Sequence, residues 1–108
     1  MSEEPKKKEE KVKSVDLEFE KEIAETEHFT GEFLKKVRLY RSVSLEEMSQ
    51  ATNIAKRYFK AIEEDDLSPF AAHVFLRGFL RQYAKKVHLD PEKVVQGYVK
   101  LKTSVEES

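Results

Sequence analysis

Two phenylalanines, Phe75 and Phe79, lie four residues apart in a mostly apolar segment that also contains two arginines. On a helix this spacing brings both rings to one side, and Tyr83 extends the stripe by another turn. Arg77 and Arg81 each follow one of the two phenylalanines by two residues. Aromatic anchors with arginines at their rim are typical of protein–protein contacts. These five residues are therefore predicted to form a partner-binding surface.

A second apolar stripe on the same segment leaves an alternative open. Leu76, Leu80 and Ala84 also recur at helical spacing. One stripe can face a core while the other contacts solvent, where an aromatic pair is unfavourable unless a partner covers it. Alternatively, both stripes are buried in a small bundle. Gly78, which costs about 1 kcal/mol relative to Ala inside a helix, indicates close packing or the close approach of a partner.

Lys56, Arg57 and Lys60 offer a different chemistry, which is the binding of nucleic-acid phosphates. They lie at the start of a predicted helix, where a DNA-reading helix would enter the major groove. The four consecutive acids at 63–66 would repel a duplex, and this helix has no Asn or Gln to read adenine. On the first predicted helix, Lys35, Lys36, Arg38 and Arg41 are predicted to form either a solvated face or a second phosphate patch.

Composition gives no support for catalysis, a metal or a cofactor. The three histidines, His28, His73 and His88, are too far apart for two to share a helical turn. Cysteine is absent, and the three glycines form no phosphate-binding loop. The formal net charge is -1, and no apolar run approaches the roughly 20 residues that span a bilayer. We expect a soluble, cytoplasmic, non-enzymatic protein without a small-molecule substrate.

The elements that must position these residues are helices, because apolar residues recur at helical spacing and no segment alternates with period two. Five helices are expected after residue 30. The first three cover about 31–41, 45–51 and 55–64, and the last two begin after residues 68 and 90. Their boundaries are predicted from a capping box at Ser44–Glu47, a left-handed turn at Asn53, and the pairs Ser68–Pro69 and Asp90–Pro91.

Composition also indicates that the chain consists of two tails and one domain. Residues 1–29 are expected to form a charged tail, disordered up to about residue 14 and compatible with a short amphipathic helix in 15–28. Residues 30–102 are predicted to form one all-α domain, followed by a C-terminal tail at 103–108.

The segment SLEEMSQATNIAKRYFKAIE at 44–63 matches a helix, a short turn and a second helix. Together with VFLRGFLRQYA at 74–84 and LDPEKVV at 89–95, it makes residues 31–99 resemble the cytoplasmic helix-turn-helix domain of the RodZ family of bacterial cell-shape proteins. The resemblance implies a five-helix bundle of the phage-repressor type.

The resemblance also implies a partner, because domains of this family bind the actin homologue MreB instead of DNA. An aromatic pair on the fourth helix makes the contact, and Phe75 and Phe79 occupy its positions, with Arg77 between them in sequence. RodZ proteins continue into a transmembrane helix, which implies anchoring at the inner membrane if this chain is an excised domain. The alternative function is that of a sequence-specific DNA-binding regulator acting through Lys56, Arg57 and Lys60.

Overall fold

The computed structural model describes residues 15–70 and 73–99, and it contains six α-helices and no strand within them. They are α1 (Leu17–Glu25), α2 (Gly31–Tyr40), α3 (Leu45–Thr52), α4 (Lys56–Glu63), α5 (His73–Lys86) and α6 (Pro91–Gly97). The all-α prediction is confirmed for this part of the chain. One helix is added to the five expected after residue 30, because 17–25 are also helical. The tails predicted at 1–14 and 103–108 lie outside the described residues.

Several helix boundaries follow the predicted local signals. The Ser44 hydroxyl accepts from the backbone N–H of Glu47, whose carboxylate accepts from the backbone of Ser44 in return. Asn53 ends α3 in the left-handed conformation, with φ of 62°. Asp90 caps α6 and Pro91 occupies its first position, where no backbone N–H is required. Short-range chemistry therefore sets these boundaries.

The predicted helix start at Ser68–Pro69 is wrong. Asp66 accepts hydrogen bonds from both the backbone N–H and the hydroxyl of Ser68, and the N–H of Phe70 donates to the carbonyl of Leu67 at 3.0 Å. These bonds close a turn instead of opening a helix. The described helix α5 begins at His73.

The core is centred on α5, which packs against α3, α4 and α6. The stripe of Leu76, Leu80 and Ala84 is fully buried. The largest fully buried side chains from the other helices and loops are Phe29, Leu34, Val37, Met48, Phe59, Ile62, Val87, Val94 and Tyr98. Burial of these apolar side chains supplies the main driving force for folding.

Two glycines permit close backbone contacts between elements. A Cβ at Gly31 would overlap carbonyl oxygens at the end of α4, and a Cβ at Gly97 would overlap the carbonyl oxygen of Glu27. At the second contact, the N–H of Phe29 donates to the carbonyl of Gly97 at 2.7 Å, and Phe29 forms an isolated parallel bridge with Tyr98. The segment before α2 is thus fastened to the end of α6.

Helix α1 packs on α2 through aromatic and polar contacts. The ring centroid of Phe19 lies 4.9 Å from that of Tyr40 in an edge-to-face arrangement. The carboxylate of Glu20 accepts from the Tyr40 hydroxyl at 2.8 Å and from Arg41 at 3.0 Å. Ile23 of α1 is buried and belongs to the hydrophobic core. The amphipathic segment predicted at 15–28 is therefore a docked helix over Leu17–Glu25.

Candidate functional site

The exposed side of α5 carries one prominent apolar side chain. Phe75 is 57% exposed, although its neighbour Leu76 is fully buried. The two apolar stripes on α5 therefore have different environments at this end of the helix. The alternative in which both stripes are buried is wrong for Phe75, and an exposed aromatic ring is available for a contact.

Phe79 is only partly exposed, because it belongs to an aromatic cluster with Tyr58 and Phe70. Its ring centroid lies 5.1 Å from that of Tyr58 and 5.6 Å from that of Phe70. Such tilted pairs stabilise a fold beyond their buried area. Phe75 lies one helical turn from Phe79, so an exposed ring adjoins this partly buried cluster. Sequence reasoning did not identify the contributions of Tyr58 and Phe70.

The expectation that Tyr83 lies on the exposed surface is wrong, because its side chain is fully buried. Its ring packs on Phe59 with 5.9 Å between centroids. The reason is geometric: each step of four residues advances about 40° around a helix. Phe75, Phe79 and Tyr83 consequently pass from exposed to partly exposed to buried.

Arg77 lies on the opposite side of α5 from Phe75 and Phe79, and Arg81 lies opposite Phe79, because positions two residues apart differ by about 200° around a helix. Arg81 donates to both carboxylate oxygens of Glu92 on α6, at 2.7 and 3.4 Å. This pairing raises the pKa of Arg81 and lowers that of Glu92. Arg77 is partly exposed and forms no hydrogen bond or ion pair with the described residues.

A buried polar network links α2, α4 and α5. Arg38 donates to the carboxylate of Glu63 at 2.5 and 3.1 Å, and the Tyr83 hydroxyl donates to Oε2 of Glu63 at 2.5 Å. The hydrogen bond to Glu63 raises the pKa of Arg38. Burial, together with the negative charge of Glu63, raises the pKa of Tyr83 well above the ordinary tyrosine range. The network satisfies each of these buried groups.

This network corrects two predictions. The prediction that Arg38 lies on a solvated face or in a phosphate patch is wrong, because Arg38 is only 7% exposed. The prediction that Glu63 is part of a run of acids that repels DNA is also wrong, because Glu63 is 8% exposed and paired with Arg38. One signal in the sequence could have identified Glu63, because it follows the core residue Phe59 by four positions on the same helix face.

The cationic residues proposed for DNA binding do come together. Lys56, Arg57 and Lys60 line an open cleft of about 550 Å³ to which Lys35 of α2 also contributes. The carboxylates of Glu46, Glu63 and Glu64 line the same cleft. We term this the basic cleft. Lys56 pairs with Glu46 at 3.1 Å, and the guanidinium of Arg57 lies 4.8 Å from the Tyr58 ring centroid. Lys35 and Lys60 form no ion pair with the described residues.

Neither a metal site nor a membrane-spanning helix is found among the described residues. Within 15–70 and 73–99, no group of three His, Cys, Asp or Glu residues is arranged to hold a metal ion. None of the helices in those ranges has the length and apolar character needed to cross a membrane.

Comparison with known proteins agrees with this helical architecture. A family model described as a helix-turn-helix domain matches residues 33–94. The cytoskeleton protein RodZ of Streptococcus pneumoniae (strain ATCC BAA-255 / R6) is 34% identical over 68 residues, covering 63% of this chain and 25% of the relative. An uncharacterized membrane protein, YmfM of Bacillus subtilis (strain 168), is 34% identical over 58 residues, covering 54% of this chain and 20% of the relative.

The chain thus spans a quarter or less of the length of these curated relatives. No solved structure matches it significantly. The family match extends from α2 into α6 and includes the helix-turn-helix of α3 and α4. This chain therefore belongs to the helix-turn-helix domain family and carries a RodZ-like domain.

Proposed function

We propose that the chain is a non-catalytic cytoskeletal adaptor that binds an MreB-like actin homologue through Phe75 and Phe79 on α5. The observation that carries this proposal is the 57% exposure of Phe75 beside the aromatic cluster of Tyr58, Phe70 and Phe79. Covering a large aromatic side chain contributes roughly 1.5–3 kcal/mol. A protein partner is the kind of ligand that uses such an anchor.

The likeness to a relative named as a cytoskeleton protein supports the same proposal. Phe79 has a double role in it. The ring packs on Tyr58 and Phe70, and because Phe79 is still partly exposed, it can extend the surface that begins at Phe75. Arg77 and Arg81 contribute to orientation and encounter rate from the other flank of α5.

The test is titration of the full chain with purified MreB, comparing wild type with Phe75→Ala. We expect the dissociation constant to rise about 10- to 100-fold while the far-ultraviolet circular dichroism spectrum is retained. Leu39→Ala is a matched control, because Leu39 on α2 is 58% exposed and also apolar. Absence of wild-type binding, or equal effects of the two substitutions, would refute the proposal.

The basic cleft favours a second candidate function, which is binding of duplex DNA. Lys35, Lys56, Arg57 and Lys60 converge there, on α2 and the second helix of the helix-turn-helix. Lys60→Ala should then weaken duplex binding and reduce the slope of log affinity against log salt by about 0.9. Lys85→Ala, at an exposed position of α5, is the charge-matched control. Wild-type protein that binds no duplex at physiological ionic strength would eliminate this candidate.

For the organisation of the chain, we propose that residues 30–102 form the helix-turn-helix domain, with α2–α6 arranged as in phage repressors, and that α1 and Phe29 pack onto it as an N-terminal extension. In this proposal the domain lies in the cytoplasm and is held at the inner membrane when it forms part of a longer protein. The proposal fits the membrane-protein name of the Bacillus relative. Fractionation of cells expressing the natural full-length protein would test the location.

A further inference from the structure

Gly78 is the one glycine of this chain for which the described fold gives no internal reason. A Cβ added at Gly31 or Gly97 would overlap backbone oxygen atoms, whereas a Cβ added at Gly78 meets nothing within 4 Å. The backbone of Gly78 is not in the positive-φ region that favours glycine. Neither packing within the domain nor backbone conformation therefore requires glycine at this position.

The position of Gly78 in α5 makes this glycine unfavourable for folding. It is the sixth of the fourteen residues of His73–Lys86, well inside the helix, where glycine is a poor helix former because its backbone is flexible. Leu76 and Leu80 are each two residues from Gly78, which places each of them about 160° from Gly78 around the helix. Since Leu76 and Leu80 are fully buried, Gly78 lies on the side of α5 that faces away from the core.

The surroundings of Gly78 place it at the middle of the candidate surface. Phe75 and Arg81 each lie three residues away and flank Gly78 on its two sides, about 60° around the helix. Phe75 is 57% exposed. The Arg81 side chain is 41% exposed despite its pair with Glu92. At the partly exposed position of Gly78, the helix thus has no side chain between an aromatic flank and a cationic flank.

We infer that Gly78 is the close-contact point of α5 with its protein partner, which presents a helix that crosses α5 at this glycine. Small residues at a crossing allow two helices to approach closely, and the interaxial distance depends on the side chains there. The crossing helix carries apolar side chains toward Phe75 and carboxylates toward Arg81. This inference rests on the proposed function and adds the geometry and chemistry of the partner's surface.

The inference predicts that one substitution, Gly78→Ala, stabilises the domain and weakens its binding to the partner. Gly78→Ala should raise the melting temperature, because helix propensity improves and the Cβ has open space. The same methyl group should weaken binding to MreB about tenfold or more, because a well-packed contact does not accept added volume. Gly78→Leu should abolish measurable binding and leave the domain folded. Gln50→Leu, which adds the same side chain at an exposed position of α3, should leave binding unchanged.

The outcomes separate this inference from the proposed function. If Phe75→Ala weakens binding and Gly78→Ala does not, the crossing at Gly78 is refuted and the aromatic surface stands. If the wild-type chain does not bind MreB, both are refuted. If Gly78→Ala lowers the melting temperature, glycine is required by the fold itself, which also refutes the inference.

Discussion

The Tyr83 hydroxyl and the Glu63 carboxylate are joined by a hydrogen bond of 2.5 Å between two buried side chains. The bond connects α5, which carries the candidate partner surface, to α4, the second helix of the helix-turn-helix. Arg38 of α2 completes the connection by pairing with the same carboxylate. The position of α5 relative to the basic cleft is thus fixed by polar groups as well as by apolar packing.

The Arg38–Glu63 pair should be essential for stability. Glu63→Ala leaves the guanidinium of Arg38 buried without its carboxylate, and removing one partner of a buried pair costs about 3–5 kcal/mol. Urea denaturation should report this loss of unfolding free energy. Glu64→Ala changes the same charge at the adjacent exposed position and should alter stability by less than about 0.5 kcal/mol. Similar losses in the two variants would contradict this account.

Stability should decline at alkaline pH through Tyr83. Burial holds the folded-state pKa of Tyr83 above the value of about 10 that tyrosine has in an unfolded chain. The unfolded state therefore releases its phenolic proton first, and stability is lost as pH rises above about 10. Tyr83→Phe should reduce this slope by up to about 1.4 kcal/mol per pH unit.

The measurement is the unfolding free energy of wild type and Tyr83→Phe at several values between about pH 8 and 11. Burial also raises the pKa of Tyr98, so part of the slope should persist in Tyr83→Phe and decrease further in the variant that also carries Tyr98→Phe. An unchanged slope in the double variant would show that other groups cause the alkaline loss.

The two phenylalanines of α5 should differ in their effect on folding. Phe79→Ala removes ring contacts with Tyr58 and Phe70 and should cost about 1–3 kcal/mol. Phe75→Ala should change stability by less than about 0.5 kcal/mol because its ring is mostly exposed. Thermal unfolding of the single variants distinguishes them, and a large loss in Phe75→Ala would identify that ring as part of the core.

Gly31→Ala should destabilise the domain, in contrast to the stabilising Gly78→Ala. The added methyl group at Gly31 would overlap the carbonyl oxygens of Ile62 and Glu63, which are backbone atoms. Separating α2 from the end of α4 should cost about 1–3 kcal/mol or more. Calorimetric melting temperatures would check this, and an unchanged value would mean that the two backbones are not in close contact.

The helices and several of their boundaries could be predicted from the sequence because the signals are local. The Ser44–Glu47 capping box, the left-handed Asn53 and the Asp90–Pro91 start each depend on residues a few positions apart. The start predicted at Ser68 failed for a related reason. The carboxylate of Asp66 accepts hydrogen bonds from the backbone N–H and the hydroxyl of Ser68 and closes a turn. Helix propensity alone does not show whether Ser68 caps a helix or joins this turn.

The helical class, the stripe of Leu76 and Leu80, and the aromatic and cationic residues of α5 follow from residue types and their spacing. Which of these side chains are accessible depends on how the helices pack. Burial of Tyr83 depends on the 40° drift of its stripe, and burial of Arg38 depends on a carboxylate 25 residues away in sequence. Whether a side chain is exposed or paired depends on the residues that pack around it in the fold, so a pattern of residue types alone does not specify it.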